Sequence, residues 1–237
     1  METITAITLD LDDTLWPTQP VIQQAERRVY EWLARQCPRV TQRYGLKAMR
    51  RIRKQVAEDN PSLQHDISAI RKLALKSMFI SCNYPTEYVD DAYAVFTQAR
   101  NRVQPFPDVL PTLNALHGRF PMVTISNGNA DLQQIGISAF FEFSVCAGSV
   151  GAAKPHPDPF LTACDKLGLE PDQILHIGNN PEEDILGAAN VGMRTVWVNR
   201  HRNKWSLDHK PDAQISSLSE ILGLISVTVQ ERPVDQK

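Results

Sequence analysis

Apolar runs of strand length alternate with stretches of helical period through the second half of the chain, and that alternation admits few folds. Residues 121–125 (Pro-Met-Val-Thr-Ile), 141–146, 173–177 and 195–198 read as strands. Helical patterns separate them: Leu110, Leu113 and Leu116 before the first, then residues 159–167, 182–191 and a closing helix over 217–225. A further apolar run, residues 4–9, stands near the N-terminus. Strands alternating with helices imply a parallel sheet covered by helices on both faces. The expected fold is therefore α/β, a doubly wound parallel sheet.

Residues 17–104 interrupt this scheme with helical periodicity and no strand. Val21, Ile22, Ala25, Val29, Trp32 and Leu33 form one apolar stripe at spacings of three and four. Leu46, Met49, Ile52 and Val56 form a second after Gly45, and Ile67, Ile70, Ala74 and Phe79 a third with Asp66 as its cap. A fourth follows Pro85, through Tyr88 or Val89, Ala92, Val95 and Ala99. Four such helices suit a small bundle inserted into the sheet domain. The expected division is a core of residues 1–16 and 105–229, a helical insert of 17–104, and a frayed polar tail of 230–237.

Bulk properties exclude several classes of function. A net charge of −2 supplies no drive toward nucleic acid or an anionic membrane. No apolar run approaches the roughly 20 residues of a membrane span. Cys37, Cys82, Cys146 and Cys164 lack the spacing of a metal or redox site and read as reduced, packed thiols. With an acidic N-terminus leading straight into a strand, the chain reads as cytoplasmic. The basic stretch over residues 47–54 carries Met49 and Ile52 at helical spacing and no interleaved aromatic, so it reads as a solvated helix face.

Chemistry-bearing residues cluster where the strands end, which is where an open parallel sheet collects its ligand contacts. Asp10-Leu11-Asp12-Asp13-Thr14 places three carboxylates within four residues, an arrangement that a cation would stabilise and that otherwise reads as an acidic turn. Ser126-Asn127-Gly128 follows the next strand; it offers a hydroxyl, an amide and flexible backbone to phosphate oxygens, or simply a turn. Lys154-Pro155 opens a helix, and its ammonium can offset phosphoryl charge. The last, Gly178-Asn179-Asn180-Pro181-Glu182-Glu183-Asp184, joins a strand to a helix whose acidic start also suits the helix dipole.

Taken together and in this order, these segments resemble the haloacid dehalogenase-like superfamily. Asp10 to Thr14 matches its first motif, Ser126 its second, Lys154 its third and the Gly178 to Asp184 turn its fourth, so that the resemblance covers residues 4–225. It implies a Rossmann-like core and makes the helical insert a type-one cap. The wording of residues 10–16, 125–130 and His65-Asp66-Ile67-Ser68 is similar to bacterial flavin mononucleotide phosphatases, which also act on the phosphorylated ribitylamino-pyrimidine of riboflavin synthesis. His65, Asp66 and Arg71 are specificity residues by that resemblance, although a helix N-terminus also explains Asp66.

The resemblance implies a phosphatase acting on a small phosphate monoester. Asp10 would attack phosphorus, and Asp12 would serve as acid and then base. Mg²⁺ would rest on Asp10, the Asp12 carbonyl, Asn179 and Asp184. Ser126, Asn127, Gly128 and Lys154 would hold the phosphate, with Thr14 steadying the loop. One position departs from the pattern: the fourth motif ordinarily reads Gly-Asp, and here it reads Gly178-Asn179. Weaker Mg²⁺ binding is expected from the lost charge. The alternatives are a catalytically weakened binding or regulatory protein, a phosphomutase, or a haloacid dehalogenase, against which Asp12 argues. His176 reads as packed, His156 as loop surface, and Trp205 as a packing residue.

Overall fold

The computed structural model describes residues 4–226. Its centre is a sheet of six strands, β1 (Ala6–Leu9), β2 (Met122–Ser126), β3 (Phe143–Cys146), β4 (Ile174–Gly178), β5 (Arg194–Val198) and β6 (Ala213–Ile215), in the order β3-β2-β1-β4-β5-β6. Every pairing is parallel. From β1 the chain builds outward to β3 and then returns to the other side at β4. This reversal opens a crevice at the carboxyl ends of β1 and β4. Side chains alternate across the sheet. Ile7, Leu9, Leu175 and Ile177 face one apolar cluster with Leu113 and Leu116, while Ala6, Val123, Ile125 and Ile174 face another around Phe160 and Ala163. Strands buried on both faces have no polar face, which is why the sequence shows continuous apolar runs.

Between β1 and β2 lie the cap helices, α1 (Thr18–Gln36), α2 (Pro38–Arg43), α3 (Leu46–Asp59), α4 (Ile67–Ser81) and α5 (Tyr88–Arg100), followed by the core helix α6 (Val109–Leu116). The cap has its own apolar cluster, with Ala25, Val29, Leu33, Leu75, Phe79, Ala92 and Phe96 at its centre. Asp66 caps α4, accepting from the Ser68 and Ala69 amides.

Several elements differ from the sequence reading. The cap has five helices among the described residues, because Pro38 stands in the first turn of a new helix immediately after Cys37. The three-residue strand β6 was not expected; a polar stretch precedes it and it is too short to show a period. The helical pattern expected over 182–191 is a π-helical turn, Pro181–Leu186, running into Gly187–Asn190. Residues 227–229 of the expected core and the expected tail, 230–237, lie outside the described residues. Among those described, no helix is long and apolar enough to cross a membrane.

Candidate active site

The segments singled out at the strand ends meet in the crevice. Asp10 follows β1, and its amide donates to the Ile177 carbonyl of β4. Its carboxylate is buried, with Oδ1 accepting from Lys154 Nζ at 2.9 Å and Oδ2 from the Thr14 hydroxyl at 2.9 Å. Lys154, 3% exposed, also donates to the Ile125 carbonyl and to Asp184 Oδ1. One ammonium thus lies between two buried carboxylates. Asp184 Oδ2 accepts from the Asn180 amide at 2.9 Å. Gly178 is required beside it, since a Cβ there would fall 2.3 Å from the Asp184 carboxyl carbon.

Burial pushes the Asp10 carboxyl up to about 7; the Lys154 ammonium pulls the other way and the Asp184 charge adds to the rise. Asp184 goes in the opposite direction. Burial opposes its ionisation too, but the Lys154 charge and hydrogen bonds from Lys154 and His176 outweigh it. His176 is fully buried in β4, packed edge-on against Phe160, and burial lowers its pKa. The neutral ring accepts from Thr8 at Nδ1 and donates through Nε2 to Asp184 at 3.4 Å. It is packed, as its mid-strand position suggested, yet it also braces the site.

Thr14 Oγ1 stands 2.9 Å from Asp10 Oδ2 and 3.0 Å from Asn179 Oδ1. A hydroxyl has one proton, so it cannot donate to both. With Asp10 ionised, the Thr14 proton goes to Asp10, and exchanging Oδ1 and Nδ2 of Asn179, which have the same shape, lets its amide N–H donate to Thr14, giving a relay from Asn179 through Thr14 to Asp10. An aspartate at this position could not donate. The Asn179 main-chain carbonyl accepts from Trp197 Nε1 at 2.8 Å.

Asp12 points away from this group. Its Oδ1 accepts from Trp16 Nε1 at 2.9 Å and the Thr18 hydroxyl at 3.1 Å, and both oxygens lie 2.7 Å from Arg100 NH2. Arg100 is 1% exposed and is the last residue of α5. Sequence reasoning missed it, since a basic residue in a helix's last turn is ordinary dipole complementation. A Cβ on Gly128 would lie 2.5 Å from Asp12 Oδ2, so this glycine lets the second-motif loop approach the acid. Gly128→Ala is accordingly expected to displace Asp12 and lower kcat about 10- to 100-fold, read by steady-state kinetics on an aryl phosphate.

Ser126 Oγ accepts the Gly128 amide at 2.9 Å. The Asn127 side chain is engaged within the protein: it accepts the Lys154 amide at 2.7 Å and donates to the Lys154 carbonyl and to Glu183. It fixes the loop that carries Lys154. Trp205 stacks edge-on with Trp197 and His156 caps the helix Pro157–Leu167, both outside the crevice.

The cap closes over these groups to form a cavity of about 560 Å³ that runs from Asp10, Asp12 and Ser126 to Arg50, Arg53 and Arg71. The stretch read as a solvated helix face therefore has a function-facing side. Helix α3 buries no residue, and Arg50 and Arg53 turn toward the cleft, where both pair with the buried Glu26 of α1.

The model of the haloacid dehalogenase-like hydrolases matches residues 4–192. The chain belongs to this family. It is 30% identical to the 5-amino-6-(5-phospho-D-ribitylamino)uracil phosphatase YigB of Escherichia coli, over 94% of this chain and 96% of that one. Against a glyceraldehyde 3-phosphate phosphatase of Methanopyrus kandleri the identity is 27%, over 94% and 97%. Among solved structures, one described as a 2-haloacid dehalogenase from Pseudomonas syringae superposes with a TM-score of 0.89 at 36% identity, over 94% of this chain and 99% of that one. As a haloacid dehalogenase-like hydrolase, the chain is an enzyme whose full-length curated relatives include small-molecule phosphatases.

Proposed function

We propose that the protein is a Mg²⁺-dependent phosphatase of small phosphate monoesters. The observation that carries this reading is the separation of two carboxylates only two residues apart: Asp10 held by Lys154 and Thr14, Asp12 turned aside onto Arg100 and Trp16. One group is placed to be a nucleophile and the other to handle protons. Asp10 attacks phosphorus, the ester P–O bond breaks, and Asp12, which enters this step as the carboxylic acid, delivers its proton to the leaving alkoxide. Asp12 then takes a proton from the water that hydrolyses the aspartyl phosphate, returning both carboxylates to their starting state. Lys154 and the 126–128 loop face the phosphoryl oxygens.

The residues fit a hard divalent cation, because the available donors are all oxygen and two buried carboxylates share one ammonium. Among the described residues no three His, Cys, Asp or Glu side chains converge as a metal site, so main-chain and phosphate oxygens would complete the set. Asp10, the Asp12 carbonyl, Asn179 and Asp184 would hold Mg²⁺, which when bound screens the charge of the phosphoryl group. Asn179→Asp adds a carboxylate and is expected to lower the Mg²⁺ concentration for half-maximal activity by roughly tenfold. A metal titration of activity that does not move overturns this.

Likeness to the Escherichia coli phosphatase over nearly the whole of both chains supports ribitylamino-pyrimidine phosphates as the first substrates to test, with flavin mononucleotide beside them from the wording of residues 10–16 and 125–130. A second reading, displacement of halide from a 2-haloacid by Asp10, is favoured by Asn179, which lessens the charge available to a metal. The presence of Asp12 weighs against it, because that reaction has no leaving alkoxide to protonate. Measuring p-nitrophenyl phosphate hydrolysis with and without Mg²⁺, beside chloride release from 2-chloropropionate, separates the two. Transfer of the phosphate to a second hydroxyl would instead indicate a mutase, and tight ligand binding without turnover a binding protein.

A further inference from the structure

The two halves of the cleft carry opposite charge. Its core side is acidic, with Asp10, Asp12 and Asp184, while its cap side presents Arg50, Arg53, Lys54 and Arg71. Lys54 pairs with the exposed Glu58, and the buried carboxylate of Glu26 is shared by Arg50 at 2.5 Å and Arg53 at 2.7 Å. Burial opposes the charge on Glu26, but the hydrogen bonds from these two arginines outweigh it and hold its pKa low. Arg71 has no such partner. Among the described residues its guanidinium makes no ion pair or hydrogen bond; it stacks on the Phe96 ring, 3.5 Å from the centroid. Burial, with Arg53 and Arg100 nearby, lowers its pKa to about 9, and the neighbouring Glu26 charge only partly opposes that fall.

A half-buried guanidinium beside like charges, with its nearest carboxylate already bonded to two other arginines, is unfavourable, and an incoming anion relieves that cost. The ring beneath Arg71 also fixes its plane, so little side-chain freedom is lost when its N–H fork engages a carboxylate or phosphate. Arg71 lines the same continuous cleft as Asp10, and Ile67 and Ile70 of the same helix supply an apolar wall there. A ligand that reaches both ends would meet a phosphoryl site on the core and, on the cap, Arg71 beside two arginines that share one carboxylate.

We propose that Arg71, with Arg53 beside it, forms a subsite for a second anionic group, a carboxylate or phosphate, at the end of the substrate opposite the transferring phosphoryl group. This rests on the phosphatase reading but not on the ribityl candidates, whose ring systems are uncharged. A substrate of this kind is a doubly anionic small ester, and Arg71 determines specificity without touching the reacting atoms.

Two matched pairs of substrates test the subsite. 3-Phosphoglycerate and glycerol 3-phosphate differ in a carboxylate; fructose 1,6-bisphosphate and fructose 6-phosphate differ in a second phosphate. The wild type is expected to show a kcat/KM at least tenfold higher for the doubly charged member of one pair, expressed mainly in KM. Which pair responds identifies the anion. In Arg71→Gln that ratio falls below about threefold, and Arg71→Lys retains part of it. Using the ratio within each variant removes any general loss of fold or activity. Equal handling of both pairs by the wild type, or a ratio that survives Arg71→Gln, overturns the subsite. Calorimetric binding of the same four compounds to Asp10→Asn, with and without Arg71→Gln, gives the answer independently of turnover. A charge preference there beside an inactive wild type would sink the phosphatase reading and leave the subsite standing.

Discussion

Asp10→Asn is expected to lower turnover by at least about four orders of magnitude while leaving the protein folded, since no other group can form the covalent intermediate. The stability arm of this result is as specific as the kinetic arm. Asp10 is a buried carboxylate whose charge is opposed by burial and by Asp184, and it shares its single cation. An isosteric amide removes that charge, keeps its oxygen for Lys154 and turns its N–H toward the Thr14 hydroxyl, which can accept, so the Lys154 charge serves Asp184 alone. The melting temperature of the metal-free variant should equal or exceed that of the wild type, as expected where a site trades stability for activity. Single-turnover kinetics and a thermal melt on the same preparation check both halves. Residual turnover above about one per cent would mean that Asp10 is not the nucleophile.

Lys154→Met is expected to act on both properties in the same direction. It leaves Asp10 and Asp184 buried without their shared cation, and breaking such a pair costs about 3–5 kcal/mol. The pH dependence carries the diagnostic sign. Already with Lys154 present, the Asp10 pKa lies at about 7, above its unfolded value. Without the lysine the folded site holds protons more tightly still. Where the folded state binds more protons than the unfolded state, stability falls as pH rises. The variant should therefore be most stable near the unfolded carboxyl pKa of about 4 and lose stability steadily through pH 7 and above. Denaturant midpoints in metal-free buffer between pH 5 and 8 measure this; a flat profile would show that the ammonium is not the counter-charge of the pair.

Much of the site was legible in the sequence because its residues sit where strands must stop. Asp10, Ser126 and the Gly178 to Asp184 turn follow runs that have no polar face, so their position in the crevice follows from strand order and chain reversal. Lys154 is reached from a loop, but the Asn127 side chain ties that loop to the end of β2. What stayed illegible depends on pairing across the cap. Arg100 is far from Asp12 in sequence and carries the signature of an ordinary helix end. Arg50 and Arg53 lie in a run of basic residues on a helix that buries nothing, and only the position of Glu26 turns them inward. Glu26 could have provided the signal: a carboxylate one residue past Ala25 on the buried face of α1 needs a cation from a neighbouring helix. Pro38 is likewise a helix-start signal in the sequence, because proline suits the first helical turn and ends the apolar stripe before it.

The cap encloses one apolar cluster and the sheet one on each face, and the cap cluster shares no residue with either of the others. Energetically independent cores make substitutions in one additive with those in the other. A lineage can therefore rework the lining of α3 and α4, at a stability cost confined to the cap, while the strand ends that break the phosphate ester stay untouched. Recognition and reaction can change at different rates within one chain, and the Arg100 to Asp12 pair is one of the few points where a change in one must be answered in the other.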